Sequence, residues 1–274
     1  MILFPTAKIN IGLYITEKRA DGFHNIETLF YPVPFCDALE FVKSDIQTIS
    51  DSLVVTGIEL IGNPDDNLII RAIKKLRARK EFPILKIHLH KVIPPGAGLG
   101  GGSSNAAFIL KGINYFFGLG IGNEELKEIA LNIGSDCPFF IDAVPAYASG
   151  RGEILKPLKS EPLSNHYIVL VNPEKSINTK AAYANCRPAP AQVSLNEIIN
   201  NVPITQWKNT IKNDFDKYAF GEEPLIAKLI TEMYLSGAVF SLMSGSGSAV
   251  YGIFKNKPQL SELLKKHLIW QGGI

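Results

Sequence analysis

Cysteine is scarce in this chain. Cys36, Cys137 and Cys186 are its three among 274 residues. An odd, sparse set with no Cys-x-x-Cys spacing supports neither a disulfide framework nor a zinc site. Long apolar runs are missing too: none reaches the ~18 residues that a membrane-spanning helix needs. The opening Met-Ile-Leu-Phe-Pro-Thr-Ala-Lys has no basic-then-apolar signal-peptide pattern. Nor is there an excess of one charge, since 28 Lys and Arg against 26 Asp and Glu leave a net +2. A bulk nucleic-acid surface is therefore not expected. The densest basic cluster (Lys74, Lys75, Arg77, Arg79, Lys80) lies on the polar side of a helical pattern and reads as a solvated face. These absences predict a cytoplasmic protein with no membrane or nucleic-acid partner. Apolar side chains are abundant, at 46% against 20% charged, enough for the core of one large domain or two modest ones.

Glycine is plentiful and unevenly spread. Five glycines and two serines fall in Pro94-Pro95-Gly96-Ala97-Gly98-Leu99-Gly100-Gly101-Gly102-Ser103-Ser104, which opens directly into an apolar-periodic run. Backbone without Cβ brings successive N–H groups close to a polyanion, and a helix start adds unpaired donors and the positive end of a dipole. Together they make a phosphate cradle. Three familiar loops do not fit. Gly96-x-Gly98-x-x-Gly101 matches the dinucleotide fingerprint as a string, but about 20 residues on stand Glu124 and Glu125, which begin a helix rather than end a strand. No Gly-Lys-Ser/Thr closes a Walker loop, and the protein-kinase His-Arg-Asp and Asp-Phe-Gly sequences are absent.

Along the chain, residues 7–15, 23–35, 86–92, 144–149 and 166–171 read as strands. A helix is expected from Asp66, with Ile69, Ala72, Ile73 and Leu76 on one stripe. Further helices are expected over residues 104–117, from an Asn123 cap, and from Pro224. Strand-like runs flank a second small-residue loop, Ser244-Gly245-Ser246-Gly247-Ser248, which reads as a support packed on the first. Strands and helices mix without a strict βαβα rhythm, so α+β is favoured. Pro157 and Pro162 suggest a boundary, and the domains are set at residues 1–158 and 159–274.

Two clusters add chemistry. Lys8 and Asn10 are two apart on an apolar strand and share a face. A lysine facing inward is costly unless it meets an anion. Asp136, in Gly134-Ser135-Asp136-Cys137-Pro138-Phe139-Phe140, follows a helix end and is expected to be partly buried. By itself it reads as a cap; beside a phosphate loop and a buried lysine it is a candidate base. His88 and His90 are expected to face solvent or a neighbouring layer.

In combination these segments resemble the GHMP superfamily of small-molecule kinases. Its N-terminal lysine strand, glycine loop and C-terminal small-residue loop correspond to residues 5–13, 94–105 and 243–250. Within the superfamily, AKINIGLYITEKRADGFHNIETLF, PDDNLIIRA, PPGAGLGGGSSNAA, GSDCPFF, ASGRGEIL and the Asn213-Asp214-Phe215 triplet resemble the branch acting on a cytidyl-linked methylerythritol alcohol in non-mevalonate isoprenoid synthesis. The resemblance spans nearly the whole chain. It implies a two-domain α+β fold, with a ribosomal-protein-S5-like N-terminal domain for the nucleotide and a ferredoxin-like C-terminal domain on the substrate side of a cleft. It implies ATP as co-substrate with Mg²⁺, for which no dedicated acidic pair is visible and no metal-ligating residue is assigned. It makes Asp136 the base and Lys8 the cation beside it. Residues 94–104 would hold the triphosphate, and Asn67, Leu68 and Lys91 would surround adenine. Asn10, Phe23, His24 and Tyr183 would bind an acceptor carrying a cytidine diphosphate group. Tyrosine is usual where Phe23 stands, so the ring is kept and a hydroxyl lost. A monomer or weak homodimer is expected. Other readings are a homoserine- or mevalonate-type kinase, a non-catalytic nucleotide-binding regulator on the same fold, and an NAD-binding module.

Overall fold

The computed structural model describes residues 1–45, 49–60, 62–159 and 161–274. Its strands run β1 (Ile2–Leu3), β2 (Thr6–Lys18), β3 (His24–Cys36), β4 (Ala38–Lys43), β5 (Ser52–Gly57), β6 (Leu85–Lys91), β7 (Ala146–Ser149), β8 (Ile154–Pro157), β9 (Tyr167–Val171), β10 (Phe240–Met243), β11 (Val250–Phe254) and β12 (Leu268–Gly273). They form three four-stranded sheets, ordered β1-β4-β6-β5, β2-β3-β7-β8 and β10-β11-β9-β12. The chain divides into two compact units: Met1–Ala7, Phe35–Pro95 and Gly100–Val144 in the first, and Lys8–Pro34, Gly96–Leu99 and Pro145–Ile274 in the second. This division differs from the single cut after residue 158. β2 and β3 lie in one sheet with β7 and β8, so most of both strands joins residues far along the sequence.

In the first unit β5 and β6 pair in parallel, joined by the crossover helix α1 (Leu68–Arg77). The expected start at Asp66 is displaced. Pro64–Asp66 form a 3₁₀ turn, and Asn67 caps α1 by accepting the Ile69 N–H at 2.9 Å. The predicted stripe is sealed, with Ile69, Ala72, Ile73 and Leu76 all fully buried; each of the three larger side chains contributes ~1.5–3 kcal/mol. In β6 alternate residues are buried, from Leu85 through Ile87 and Leu89 to Lys91. His88 and His90 are on its exposed face, both within hydrogen-bond distance of the Thr56 hydroxyl. The glycine loop follows, then α2 (Gly101–Phe116), α3 (Asn123–Leu131) and the short α4 (Phe139–Asp142). Gly122, not Asn123, takes the cap position of α3.

In the second unit β9 to β12 are antiparallel, and in chain order the sheet reads 2-3-1-4. Helices occupy both crossovers: α5 (Thr179–Ala184), α6 (Leu195–Asn201), α7 (Trp207–Thr210), α8 (Asp216–Glu222) and α9 (Pro224–Leu235) in the first, α10 (Glu262–Lys266) in the second. This is the βαββαβ order of ferredoxin-like folds, as expected. Val169, Val171, Val250 and Phe254 share a core cluster with Leu229 and Met233 of α9 and Leu264 of α10. β3 starts at His24, so Phe23 lies in the preceding turn. β1, β4, β5, β8 and β12 lie outside the sequence expectations: none is longer than six residues, too short for a periodic apolar pattern to stand out.

Candidate active site

In the first unit α2 opens directly from the glycine loop. Its cap residue is Gly100, in left-handed backbone at φ +70, and no side chain caps the helix. The Ser104 N–H closes the first turn on the Gly100 carbonyl at 2.9 Å. The earlier N–H groups are left to whatever anion sits there. The Ser104 hydroxyl is buried with no hydrogen-bond partner. Leu68, at the start of α1, lies beside this turn, its Cδ1 3.5 Å from where a Gly102 Cβ would be. Asn67 and Leu68 are thus brought next to the glycine helix.

Lys91 is placed differently from a solvated strand end. It is 2% exposed, and its Nζ meets Asp37 Oδ2 at 2.5 Å. Asp37, at 0% exposure, also accepts the Val92 and Ile93 N–H groups at 2.7 and 2.8 Å and the Asn105 amide at 2.8 Å. Burial pulls the Lys91 ammonium down from its ordinary value, and Asp37 opposes that shift. The carboxylate thereby joins the residues just before the glycine loop to the second turn of α2. Asp37 was missed from sequence: it is a lone aspartate between two strands, with no motif around it.

Asp136 sits in the turn between α3 and α4 and is half-buried. The Cys137 N–H donates to the Gly134 carbonyl at 3.1 Å. The Cys137 thiol is pushed up to about 12, first by burial, against a hydrogen bond with Ser103. That bond fixes the Asp136 turn to the first turn of α2, and the shift removes thiolate chemistry at neutral pH.

In the second unit Lys8 and Asn10 are 3% and 2% exposed. The Lys8 ammonium donates to Asn10 Oδ1 and lies 5.0 Å from the Phe30 ring centre. The Asn10 amide donates to Thr28 Oγ1 at 2.9 Å, and Thr28 donates to the Gly12 carbonyl at 2.6 Å. The shared face predicted for Lys8 and Asn10 is therefore a hydrogen-bonded pair. The small-residue loop supports it. Ser244 Oγ accepts the Asn10 N–H at 3.2 Å and donates to the Gly98 carbonyl at 2.9 Å. The Ala249 N–H reaches the Ala97 carbonyl at 3.1 Å, and Asn213 holds the Met243 and Gly245 carbonyls at 3.0 and 2.8 Å. At Gly98 (φ +81) a Cβ would fall on the Ser244 carbonyl oxygen, so only glycine fits.

His24 and Tyr183 stack, with ring centres 4.9 Å apart and planes at 19°, and Phe215 meets Tyr183 edge-on at 4.9 Å. Burial, and then Lys18, lower the His24 pKa, which favours the neutral imidazole. Phe23 is 51% exposed. Asn10, Phe23, His24 and Tyr183 all fall in the second unit, although the expected boundary splits them.

Two family models match the chain, GHMP kinases N terminal domain over residues 67–150 and GHMP kinases C terminal over residues 202–267. Fold and glycine-led helix thus define a small-molecule kinase of the GHMP class, which uses ATP as co-substrate. The 4-diphosphocytidyl-2-C-methyl-D-erythritol kinase of Parabacteroides distasonis is 45% identical over 276 residues, 100% of each chain. That of Porphyromonas gingivalis is 47% identical over 263 residues, 96% of this chain and 95% of its own. A crystal structure of 4-(cytidine 5'-diphospho)-2C-methyl-D-erythritol kinase, 31% identical, matches 92% of this chain and 90% of that one at a TM-score of 0.76. The chain belongs to the 4-diphosphocytidyl-2-C-methyl-D-erythritol kinase family.

Proposed function

We propose that this chain transfers the γ-phosphoryl group of ATP to the 2-hydroxyl of 4-diphosphocytidyl-2-C-methyl-D-erythritol, a step of non-mevalonate isoprenoid precursor synthesis. The observation that carries the nucleotide half is the uncapped, glycine-led start of α2. Family membership supplies the acceptor.

Phosphoryl transfer asks a protein mainly for positioning and charge stabilisation. The loop of residues 94–104 holds the triphosphate, through backbone N–H groups of its glycines and of the α2 start. Asn67, Leu68 and the β6 end at Lys91 flank the adenine. The acceptor is a tertiary alcohol, a poor nucleophile until its proton is taken. Asp136 takes that proton. The oxygen attacks the γ-phosphorus, the bond to the β–γ bridging oxygen breaks, and ADP leaves. Lys8, oriented by Asn10, stabilises the charge on the attacking and transferring oxygens. Phe23, His24 and Tyr183 receive the cytidine, through stacking and hydrogen bonds to its edge. Among the described residues no group of three or more His, Cys, Asp or Glu could hold a metal. Mg²⁺ would enter with the ATP, with ligands chiefly from phosphate and water. Among the described residues no helix is long and apolar enough to cross a membrane.

The test is ADP release from MgATP with each acceptor in turn. Turnover with the cytidyl substrate, and none with homoserine or mevalonate, is expected. No ADP with the cytidyl substrate would refute the proposal.

A further inference from the structure

Phe23 is a large apolar ring left half in water, yet its surroundings are fixed. Its N–H donates to Asp21 Oδ1 at 3.1 Å, and its carbonyl accepts the Arg19 N–H at 2.8 Å. Asp21 is itself held by Arg19 at 2.8 Å. One face of the ring is taken by Arg151, whose guanidinium carbon lies 4.7 Å from the ring centre.

Arg151 is set in place as firmly as the ring it covers. Its backbone N–H donates to Glu153 Oε2 at 2.5 Å, and its Nε lies 3.7 Å from Glu153 Oε1. It stands between Gly150 and Gly152, at φ +66 and +107. The Gly150 carbonyl accepts the Ile26 N–H at 2.7 Å, tying this turn to β3 three residues beyond Phe23. With 27% of its side chain exposed, Arg151 works as a backing for the ring more than as a free surface charge.

We infer that Arg151 is a positioning residue for the acceptor: it fixes Phe23 from behind, so that the opposite ring face is presented as a stacking platform for the pyrimidine. A planar guanidinium suits this task, because it can lie flat on an aromatic face while its edge keeps a carboxylate. The inference rests on the cytidine reading of Phe23 given above.

Steady-state kinetics of the full chain test it, with Arg151→Met, Arg151→Lys, Phe23→Leu and the Phe23→Leu/Arg151→Met double variant. Arg151→Met should raise the acceptor KM ~2- to 5-fold, the worth of an exposed cation–π contact. The ATP KM, kcat and melting temperature should stay unchanged. Lysine should recover part of the loss. Phe23→Leu should cost more, and the double variant no more than Phe23→Leu alone. The inference is overturned by an unchanged acceptor KM in Arg151→Met, by an Arg151→Met penalty that persists in full without the Phe23 ring, or by equal shifts for both substrates. An unaffected acceptor KM in Phe23→Leu would remove the stacking site and the inference with it. Failure of the unaltered chain to turn over the cytidyl substrate would instead refute the proposed function.

Discussion

Asp37 and Lys91 form a fully buried ion pair at 2.5 Å, and the same carboxylate gathers two backbone N–H groups and the Asn105 amide. Every one of those partners lies just before the glycine loop or on the helix after it. A sequence needs a fixed frame on both sides of a flexible glycine loop if that loop is to hold a triphosphate in one geometry. Asp37 supplies that frame from a neighbouring strand end.

Removing one member of such a pair leaves an uncompensated buried charge, at a cost of about 3–5 kcal/mol. Asp37→Ala is therefore expected to lower the melting temperature sharply. Lys91→Met, which removes charge but keeps volume, should cost stability and raise the ATP KM severalfold with little change in the acceptor KM. Thermal unfolding and two-substrate kinetics measure both. An unchanged ATP KM in a folded Lys91→Met variant would mean that the pair serves stability alone.

Gly98 is confined by its φ of +81 and by the Ser244 carbonyl. Gly98→Ala must push the two loops apart, which breaks the Ser244 hydrogen bond to the Gly98 carbonyl. The expected result is a fall in kcat of an order of magnitude or more, together with lower stability. Ser244→Ala forfeits only hydrogen bonds, at ~1 kcal/mol each, and should fall between Gly98→Ala and the unaltered chain on the same assay.

Asp216 sets a pH dependence. Burial, helped by Asp214 and opposed by the Asn213 N–H, raises its pKa from 3.8 to about 7, and its Oδ1 has no hydrogen-bond partner. Between those values the folded chain keeps a proton that the unfolded chain releases, so this group's contribution is complete below pH ~3.8 and is lost as pH rises through ~7. Asp216→Asn abolishes the titration. Denaturant unfolding at pH 5 and pH 8 should show the unaltered chain losing more stability over that interval than the variant, at up to about 1.4 kcal/mol per pH unit. Equal losses would contradict the assignment.

Local chemistry made much of this site legible. The spacing of Lys8 and Asn10 placed them on one face, and they form a bonded pair. The α1 stripe is buried residue for residue, and the small-residue loop does support the glycine loop. What escaped detection depends on contacts distant in sequence. Asp37 meets Lys91 across 54 positions, and no local pattern marks a lone aspartate for that role. Arg151 reaches Phe23 from the ASGRGEIL segment, which marks family resemblance but names no contact partner. The compact units cross the expected 158/159 boundary because sheet pairing, which sequence order does not encode, carries β2 and β3 away from their neighbours. The expected strand began at Phe23, but β3 starts at His24, which leaves Phe23 in the preceding turn with its ring half exposed.

The most direct measurement of the central claim is Asp136→Asn, compared with the unaltered chain for turnover and for ATP binding. With Asp136 as the base, kcat should fall about 10²–10⁴-fold, while the ATP dissociation constant stays within about twofold, because the proposed nucleotide site uses backbone groups of the glycine loop instead of Asp136. Turnover within a few fold of the unaltered chain would contradict the account and move the proton-accepting role away from Asp136.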